Sequence, residues 1–263
     1  MKKFLLAIIL TVAVAGIFLA VTGKSFHVLR ENIFHSVLAT FITPSEKFWV
    51  HRCNSVEKVK LAAEKFSGIE IDANFYPAES VGRKFDISHD AHETVNFPLE
   101  NFMPAFADTN AKIWFDFKNL SEANAVESLN ELENLLQKYN VDKSRLIVEN
   151  HSFHALKKFH DAGFYTSFYV TVKKEILQSQ DLQDKFRQEV QDAVNSGFVD
   201  AVSFPVEYYE LVKRCGVNAD LLTWNTREER WWTFLRKSEL RKIVEDSQVK
   251  VILVVMKTDY DRF

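Results

Sequence analysis

Apolar and polar positions change period repeatedly along this chain. From Phe48 onward, short apolar runs rich in β-branched and aromatic residues alternate with longer runs whose apolar positions recur every three or four residues. The first pattern predicts strands and the second helices. Strands are expected at Phe48–Arg52, Gly68–Tyr76, Ala111–Asn119, Ser144–Asn150, Tyr165–Val170, Phe198–Phe204, Ala219–Asn225 and Val249–Val255, with a return run at Phe85–His89. Helices are expected at Val56–Phe66, Glu122–Tyr139, Phe153–Ala162, Leu182–Asn195, Glu207–Cys215 and Trp231–Glu245. Pro98–Ala107 reads as a further helix, short or kinked because Pro104 lies inside it. The Glu122–Tyr139 helix carries Val126, Leu129, Leu132, Leu135, Leu136 and Tyr139 on one side.

Strand–helix alternation implies a parallel sheet covered by helices. Eight such units predict an α/β fold, a closed (β/α)8 TIM barrel spanning 48–263. Gly68, Gly163, Gly197 and Gly216 stand where a helix gives way to a strand, a place for the left-handed residue that ends a helix. An open doubly wound sheet is the competing architecture, but no glycine-rich phosphate loop follows the first strand.

Two further segments precede the barrel. Met1-Lys2-Lys3 leads into an unbroken apolar run, Phe4 to Val21, just long enough to span a bilayer. Residues 1–23 therefore read as a signal peptide or uncleaved membrane anchor. The lysines favour a cytoplasmic N-terminus and a body outside the cytoplasm, in the periplasm if the source is bacterial. Residues 24–47 read as an amphipathic connecting helix with Phe26, Leu29, Ile33, Phe34, Val37, Leu38 and Phe41 on one face, packed on the body or lying at the membrane surface.

Composition changes this picture little. A formal charge of -3 gives no support to nucleic-acid binding. Twenty-three Phe residues suit a well-filled core, and are also compatible with an apolar substrate or membrane face. Cys53 and Cys215 make neither a disulfide framework nor a C-x-x-C metal motif, and the barrel's polarity puts them near opposite ends.

The candidate chemistry stands at the C-terminal ends of the strands, where barrels carry their active sites. Strand one ends in His51 and Arg52. Strand two carries Glu70 and Asp72, two apart and so on one face. The return run ends in His89-Asp90; strand three supplies Asp116 and Lys118, strand four Glu149 and Asn150, and strand seven Trp224 and Asn225. Adjacent carboxylates repel and need a cation or a shared proton. Two nearby histidines add groups that titrate near neutrality. Together they suggest a hydrolase site with one hard metal ion. Glu149 is a metal ligand, a group behind the ligands, or a partner of Lys118; Arg52 orients the carboxylates or contacts phosphate. Glu70 and Asp72 with Arg52 could instead be a buried ion cluster. His27, His35, His92, His151, His154 and His160 read as structural or surface groups, and Trp231-Trp232 as core. A glycosidase using Glu70 or Glu149 would leave His51, His89 and Lys118 without a role.

H-R-x-N, G-I-E-I-D, the following H-D, D-x-K and the late T-W-N resemble the phospholipase-C-like phosphodiesterase superfamily, which includes glycerophosphodiester phosphodiesterases and sphingomyelinase D enzymes. The resemblance covers roughly 48–260. It implies Mg²⁺ or Ca²⁺ on Glu70, Asp72 and Asp116; Asn54 and Glu149 are read from their own positions as groups behind these ligands. The resemblance implies His51 and His89 as general base and acid, Lys118 toward the phosphate and Trp224 as an aromatic wall of the substrate pocket; by their strand-end positions Arg52 and Asn225 are counted with the substrate-binding residues. The implied activity is that of a phosphoric diester hydrolase, or a lyase releasing a cyclic phosphate, on a small phosphodiester or lysophospholipid. A non-catalytic metal-binding barrel serving as a membrane-side interaction protein is the alternative, and would be marked by loss of a histidine or carboxylate. The sequence departs from the glycerophosphodiesterase pattern in four ways: Cys53 replaces the glycine after H-R, no P-E-N-T follows, the turn before H-D lacks T-x-D-G, and the third acid is Asp116, as in the sphingomyelinase D enzymes, rather than Glu.

Overall fold

The computed structural model describes residues 45–76, 85–89, 97–225 and 237–260. The expected anchor or signal (1–23), nearly all of the connecting segment, Asp90, His92 and Trp231-Trp232 lie outside the described residues. The elements run β1 (Phe48–Val50), α1 (Val56–Ala63), β2 (Gly68–Phe75), β3 (Phe85–Ile87), α2 (Met103–Ala107), β4 (Lys112–Phe117), α3 (Ala125–Lys138) and β5 (Leu146–Asn150). They continue with α4 (Phe153–Asp161), β6 (Tyr165–Tyr169), α5 (Gln180–Asn195), β7 (Ala201–Pro205), α6 (Tyr209–Cys215), β8 (Asp220–Trp224), α7 (Ser238–Glu245) and β9 (Val249–Val254).

All strands but β3 are parallel, in the order β1-β9-β8-β7-β6-β5-β4-β2, and the pairing of Val50 with Ile69 joins β1 to β2 and closes the barrel. β1 is short, which leaves the upper half of β2 open on that side. There β3 adds antiparallel, setting Ala73 opposite Ile87 and Phe75 opposite Phe85. This is the expected return run, and it delivers His89 to the catalytic end of the barrel.

Side chains alternate between two cores. Trp49, Trp114, Ile147, Ala201, Leu222, Val251 and Leu253 cluster together, and Tyr165 and Trp224 pack against them. The other face of β2 and β4 carries Ile69, Ile71, Ile113, Phe115 and Phe117, all buried. There phenylalanines meet edge to face: Phe85 contacts Phe75, Phe115 and Phe117, and Phe117 contacts Phe159 of α4. Burying a ring of this size stabilises the fold by roughly 1.5–3 kcal/mol, so much of the phenylalanine content is core.

The helices follow from capping and periodicity. Ser55, Ser152 and Ser179 each accept a backbone N–H at the start of α1, α4 and α5. In α3 the buried stripe is Ala125, Ser128, Leu132, Leu135 and Leu136, whereas Val126 is 53% exposed. Val126 lies one position off the stripe that starts at Ala125, so its place on the apolar side is corrected. Pro104 falls in the first turn of α2, where it needs no N–H partner, and the preceding residues form a separate 3₁₀ turn.

Gly163, Gly197 and Gly216 have positive φ at helix–strand joints, as expected. Gly68 is not among the positive-φ glycines, which corrects its reading as a helix end: a Cβ there would lie 2.3 Å from the Trp49 ring. It makes room for an indole inside the barrel rather than ending a helix.

Candidate active site

Strand register builds the site. Across β2, β4, β5 and β6, Asp72 lies beside Asp116, Asp116 beside Glu149, and Glu149 beside Ser167. Glu70 is two residues below Asp72 on the same face. Glu70, Asp72 and Asp116 each offer an oxygen within 4.8 Å of the others. Lys118 continues the β4 ladder through its N–H to Ala73 O at 2.9 Å. Its Nζ sits 2.6 Å from Asp72 Oδ1 and also contacts Asp116 Oδ2. Of the alternatives for Glu149, direct pairing with Lys118 gives way: Lys118 takes the two aspartates, and Glu149 accepts from Ser167 Oγ at 3.3 Å.

The loop after β1 holds the acids from the other side. Asn54 grips Asp72 twice: its Nδ2 donates to Oδ2 at 2.7 Å, and its Oδ1 accepts from the Asp72 N–H at 3.0 Å. Arg52 has φ 53°, the left-handed region a side chain seldom adopts, and its N–H donates to Glu70 Oε2 at 2.5 Å. The Arg52 guanidinium reaches His89 Nε2 at 2.9 Å. A guanidinium only donates, so His89 accepts through Nε2 and carries its proton on Nδ1. His51 Nε2 is 3.8 Å from Glu70 Oε2.

Electrostatics follow from this crowding. Burial, then Asp72 and Asp116, push Glu70 well above the usual carboxylate range. Burial and the Asp116 charge lift Glu149 to about 8. Burial also lifts Asp116 against the pull of Lys118. Burial works to raise Asp72, but Lys118 and Asn54 outweigh it and hold this carboxyl below its usual value. Burial opposes the Lys118 charge, yet Asp116, Asp72 and Glu70 keep it firmly protonated. Burial, helped by Arg52, Lys118 and Lys58 against Asp72, holds His51 down to about 3. Its imidazole is therefore neutral at physiological pH.

The residues meet around a cavity of about 90 Å³ lined by His51, Arg52, Glu70, Asp72, His89, Trp114, Asp116, Lys118, Glu149, Tyr169, Trp224 and Leu253. Four carboxylates there face two fixed cations, Arg52 and Lys118. Three converging oxygens, on carboxyls too crowded to ionise together without a cation, fit one hard divalent ion. Trp224 lines the cavity as expected, whereas Asn225 is buried and outside its lining. Sequence reasoning missed Trp114 and Tyr169. Tyr169 packs edge-on to Trp224 at 4.9 Å and stacks on His151 at 4.0 Å. Its position two residues beyond Ser167 becomes a signal only once the pairing of Glu149 with Ser167 is known. Burial and the Glu149 and Asp116 charges push the Tyr169 phenol up to about 12.

Fold and site together define a (β/α)8 barrel with an acidic, histidine-bearing centre at the C-terminal end of its strands. Solved structures share this fold. A glycerophosphodiester phosphodiesterase from Parabacteroides distasonis superposes with TM-score 0.55 at 14% identity, covering 81% of this chain and 94% of that one. An Oleispira antarctica phosphodiesterase in complex with the product sn-glycerol-3-phosphate superposes with TM-score 0.51 at 10% identity, covering 82% of this chain and 94% of that one. No family model matches the chain, and no curated protein matches its sequence. The fold is thus shared with proteins of the superfamily that the H-R-x-N, G-I-E-I-D and T-W-N motifs resemble.

Proposed function

We propose that the protein is a metal-dependent phosphodiesterase acting on a glycerophosphodiester or phospholipid-type substrate, with His51 and His89 as general base and acid. The observation that carries this reading is the convergence of Glu70, Asp72 and Asp116 within 4.8 Å, in one cavity with both histidines and Lys118. A Mg²⁺ or Ca²⁺ ion held by the three carboxylates would supply positive charge against a non-bridging phosphate oxygen. Lys118 adds a fixed positive charge on the same side, and its protonation is secured by the acids that surround it. Asn54 and the Arg52 N–H keep Asp72 and Glu70 turned inward. His51, neutral, is able to accept a proton from a water or a substrate hydroxyl. His89 is positioned to return a proton to the leaving oxygen once its Nε2 is released from Arg52 and protonated. Both histidines and all three carboxylates are present, which favours turnover over a non-catalytic binding barrel.

Attack by water gives hydrolysis; attack by a hydroxyl of the substrate gives a cyclic phosphate, and the same proton transfers serve both. The apolar N-terminal run would keep the barrel at a membrane, outside the cytoplasm, near lipid-derived diesters. The test is a panel of glycerophosphodiesters and lysophospholipids incubated with Mg²⁺ or Ca²⁺ and followed by phosphorus NMR. New monoester or cyclic phosphate signals that disappear with chelator are expected. No turnover of any member with either ion would overturn the proposal.

A further inference from the structure

Tyr169 is unused by the chemistry above, yet it is built into the site with some care. It ends β6 and lies two residues beyond Ser167, so it points to the same side as the residue that donates to Glu149. Its ring lines the cavity and is fixed by two neighbours. Trp224 meets it edge-on, with ring planes at 74°. His151 stacks against it at 26° and anchors itself by a hydrogen bond between Nδ1 and the Tyr169 carbonyl, at 2.9 Å. The Tyr169 hydroxyl finds no hydrogen-bond partner among the described residues. A phenol whose ring is fixed on two sides, and whose hydroxyl faces the cavity without a partner among those residues, is placed to bind an acceptor or donor there.

Position says which part of a substrate it meets. The three candidate ligands lie on β2 and β4. Tyr169 is two strands further round the barrel than Asp116, roughly 10 Å at the usual strand spacing, and one side-chain layer nearer the mouth. A phosphate held by Lys118 and by an ion on Glu70, Asp72 and Asp116 would leave Tyr169 and Trp224 beside the alcohol that the phosphate carries. We infer that Tyr169 is a specificity-determining residue: its hydroxyl hydrogen-bonds a hydroxyl group on the alcohol portion of the substrate while Trp224 covers that portion's carbon skeleton, and His151 is the positioning residue that holds the phenol.

This inference rests on the phosphodiesterase reading, so the experiment separates the two. Binding of sn-glycerol 3-phosphate and of methyl phosphate is measured by calorimetry with Mg²⁺ or Ca²⁺, for the wild type, Tyr169→Phe, His151→Ala and His151→Phe. Turnover of bis(4-nitrophenyl) phosphate, which carries no hydroxyl on either ester group, is measured in parallel. The wild type should prefer glycerol phosphate over methyl phosphate, and Tyr169→Phe should reduce that preference by about three- to tenfold, the scale of one net hydrogen bond. Affinity for methyl phosphate should fall less than affinity for glycerol phosphate, and turnover of the nitrophenyl diester reports only whether the phosphodiester chemistry is present. His151→Ala should lose part of the preference, and His151→Phe, which restores a stacking plane, should regain it. Turnover with no effect of Tyr169→Phe on the preference overturns the inference and leaves the phosphodiesterase reading standing. A Tyr169-dependent preference without turnover of any diester supports the inference as a binding assignment and removes the catalytic reading. Failure of the wild type to bind either ligand, or an equal loss for both ligands in Tyr169→Phe, overturns the inference.

Discussion

The two ends of the barrel treat charge in opposite ways. At the N-terminal end a basin of about 1020 Å³ is lined by Lys47, Trp49, Arg145, Tyr165, Asp220 and Lys250, among others. Several of its polar groups are matched. Lys47 Nζ donates to the carbonyls of Val244 and Asp246, both at 2.7 Å. Arg145 donates twice to Ala111 O, and Tyr165 OH donates to Asp220 at 2.7 Å. Just beyond, the Asp246 carboxylate accepts from Tyr209 OH, Lys213 Nζ and the Gln248 N–H. At the C-terminal end a space of about 90 Å³ holds four carboxylates against two fixed cations and forces Arg52 into a left-handed backbone. The lesson is that volume does not locate function here. The larger cavity has matched much of its charge internally, while the smaller one crowds carboxyls that cannot all ionise together, and such crowding in a cleft points to a ligand or reaction that uses it.

The difference predicts how each end responds to substitution. The largest effects belong to the histidines. His51→Asn and His89→Asn keep much of the shape and remove the titrating group, so each should lower kcat by on the order of 10²–10⁴-fold. The double variant should lose less than the product of the two, because the groups act as a unit. Full turnover in both single variants on an authentic substrate would make the acid–base assignment wrong.

Next comes Asp116→Asn. It should reduce kcat/KM by about 10²–10³-fold, the loss seen when one charge-stabilising group is removed. It should also abolish any rise in Tm on adding Mg²⁺ or Ca²⁺, while Tm without ion stays level or rises as repulsion with Asp72 is relieved. A large fall in ion-free Tm would show instead that the upper acids hold the fold together, and the contrast between the ends would collapse.

The lower end should behave in the reverse sense. Asp246→Ala leaves Tyr209 OH and the Gln248 N–H without their acceptor and Lys213 with Gln248 Oε1 in place of a charge partner, and should cost about 2–3 kcal/mol of stability, read by urea unfolding, with kcat little changed in the folded enzyme. The pH dependence has a definite sign. Burial alone would raise this carboxyl, but Lys213, Gln248 and Tyr209 outweigh it and hold it below its ordinary 3.8. A depressed carboxylate contributes stability above its unfolded value, and that stability is lost as pH falls through the folded value. The wild type should therefore lose its advantage over Asp246→Ala on acidification below about pH 4. An advantage that grew in acid would contradict the assignment.

Much of this organisation was legible in the chain because it rests on local period. Strand–helix alternation gave the barrel, and i, i+2 spacing put Glu70 with Asp72 and Asp116 with Lys118 on the inner face. What local period cannot carry is contact between distant elements. Nothing near Gly68 announces that the Trp49 ring needs its space. Nothing around Tyr169 marks it as an inner-wall residue until the register of β5 and β6 is known. The left-handed turn at Arg52 is equally hidden, since arginine has no preference for that region; the Glu70 carboxylate that meets its N–H comes from another strand. The seat of Lys118 is also a tertiary result, as Asp72 arrives from β2 and outcompetes Glu149 on β5.

The smallest effect tests barrel polarity itself. Cys53 follows β1 at the upper end, where its N–H donates to Glu70 O at 2.7 Å. Cys215 ends α6 at the lower end, with Sγ 3.4 Å from Leu211 O. Both are free and buried. A disulfide needs Cα atoms roughly 4.4–6.8 Å apart, and the length of a barrel lies between these two. The thiols should stay reduced even after oxidative refolding, with no change in Tm on adding reductant. Burial also pushes the Cys215 thiol up, which slows its reaction with alkylating reagents. Non-reducing mass spectrometry should recover both cysteines as unmodified thiols in the native protein and as two alkylation sites after denaturation. A 53–215 bridge would place the two ends of the chain's central unit together and would invalidate the separation of a charged upper end from a matched lower one.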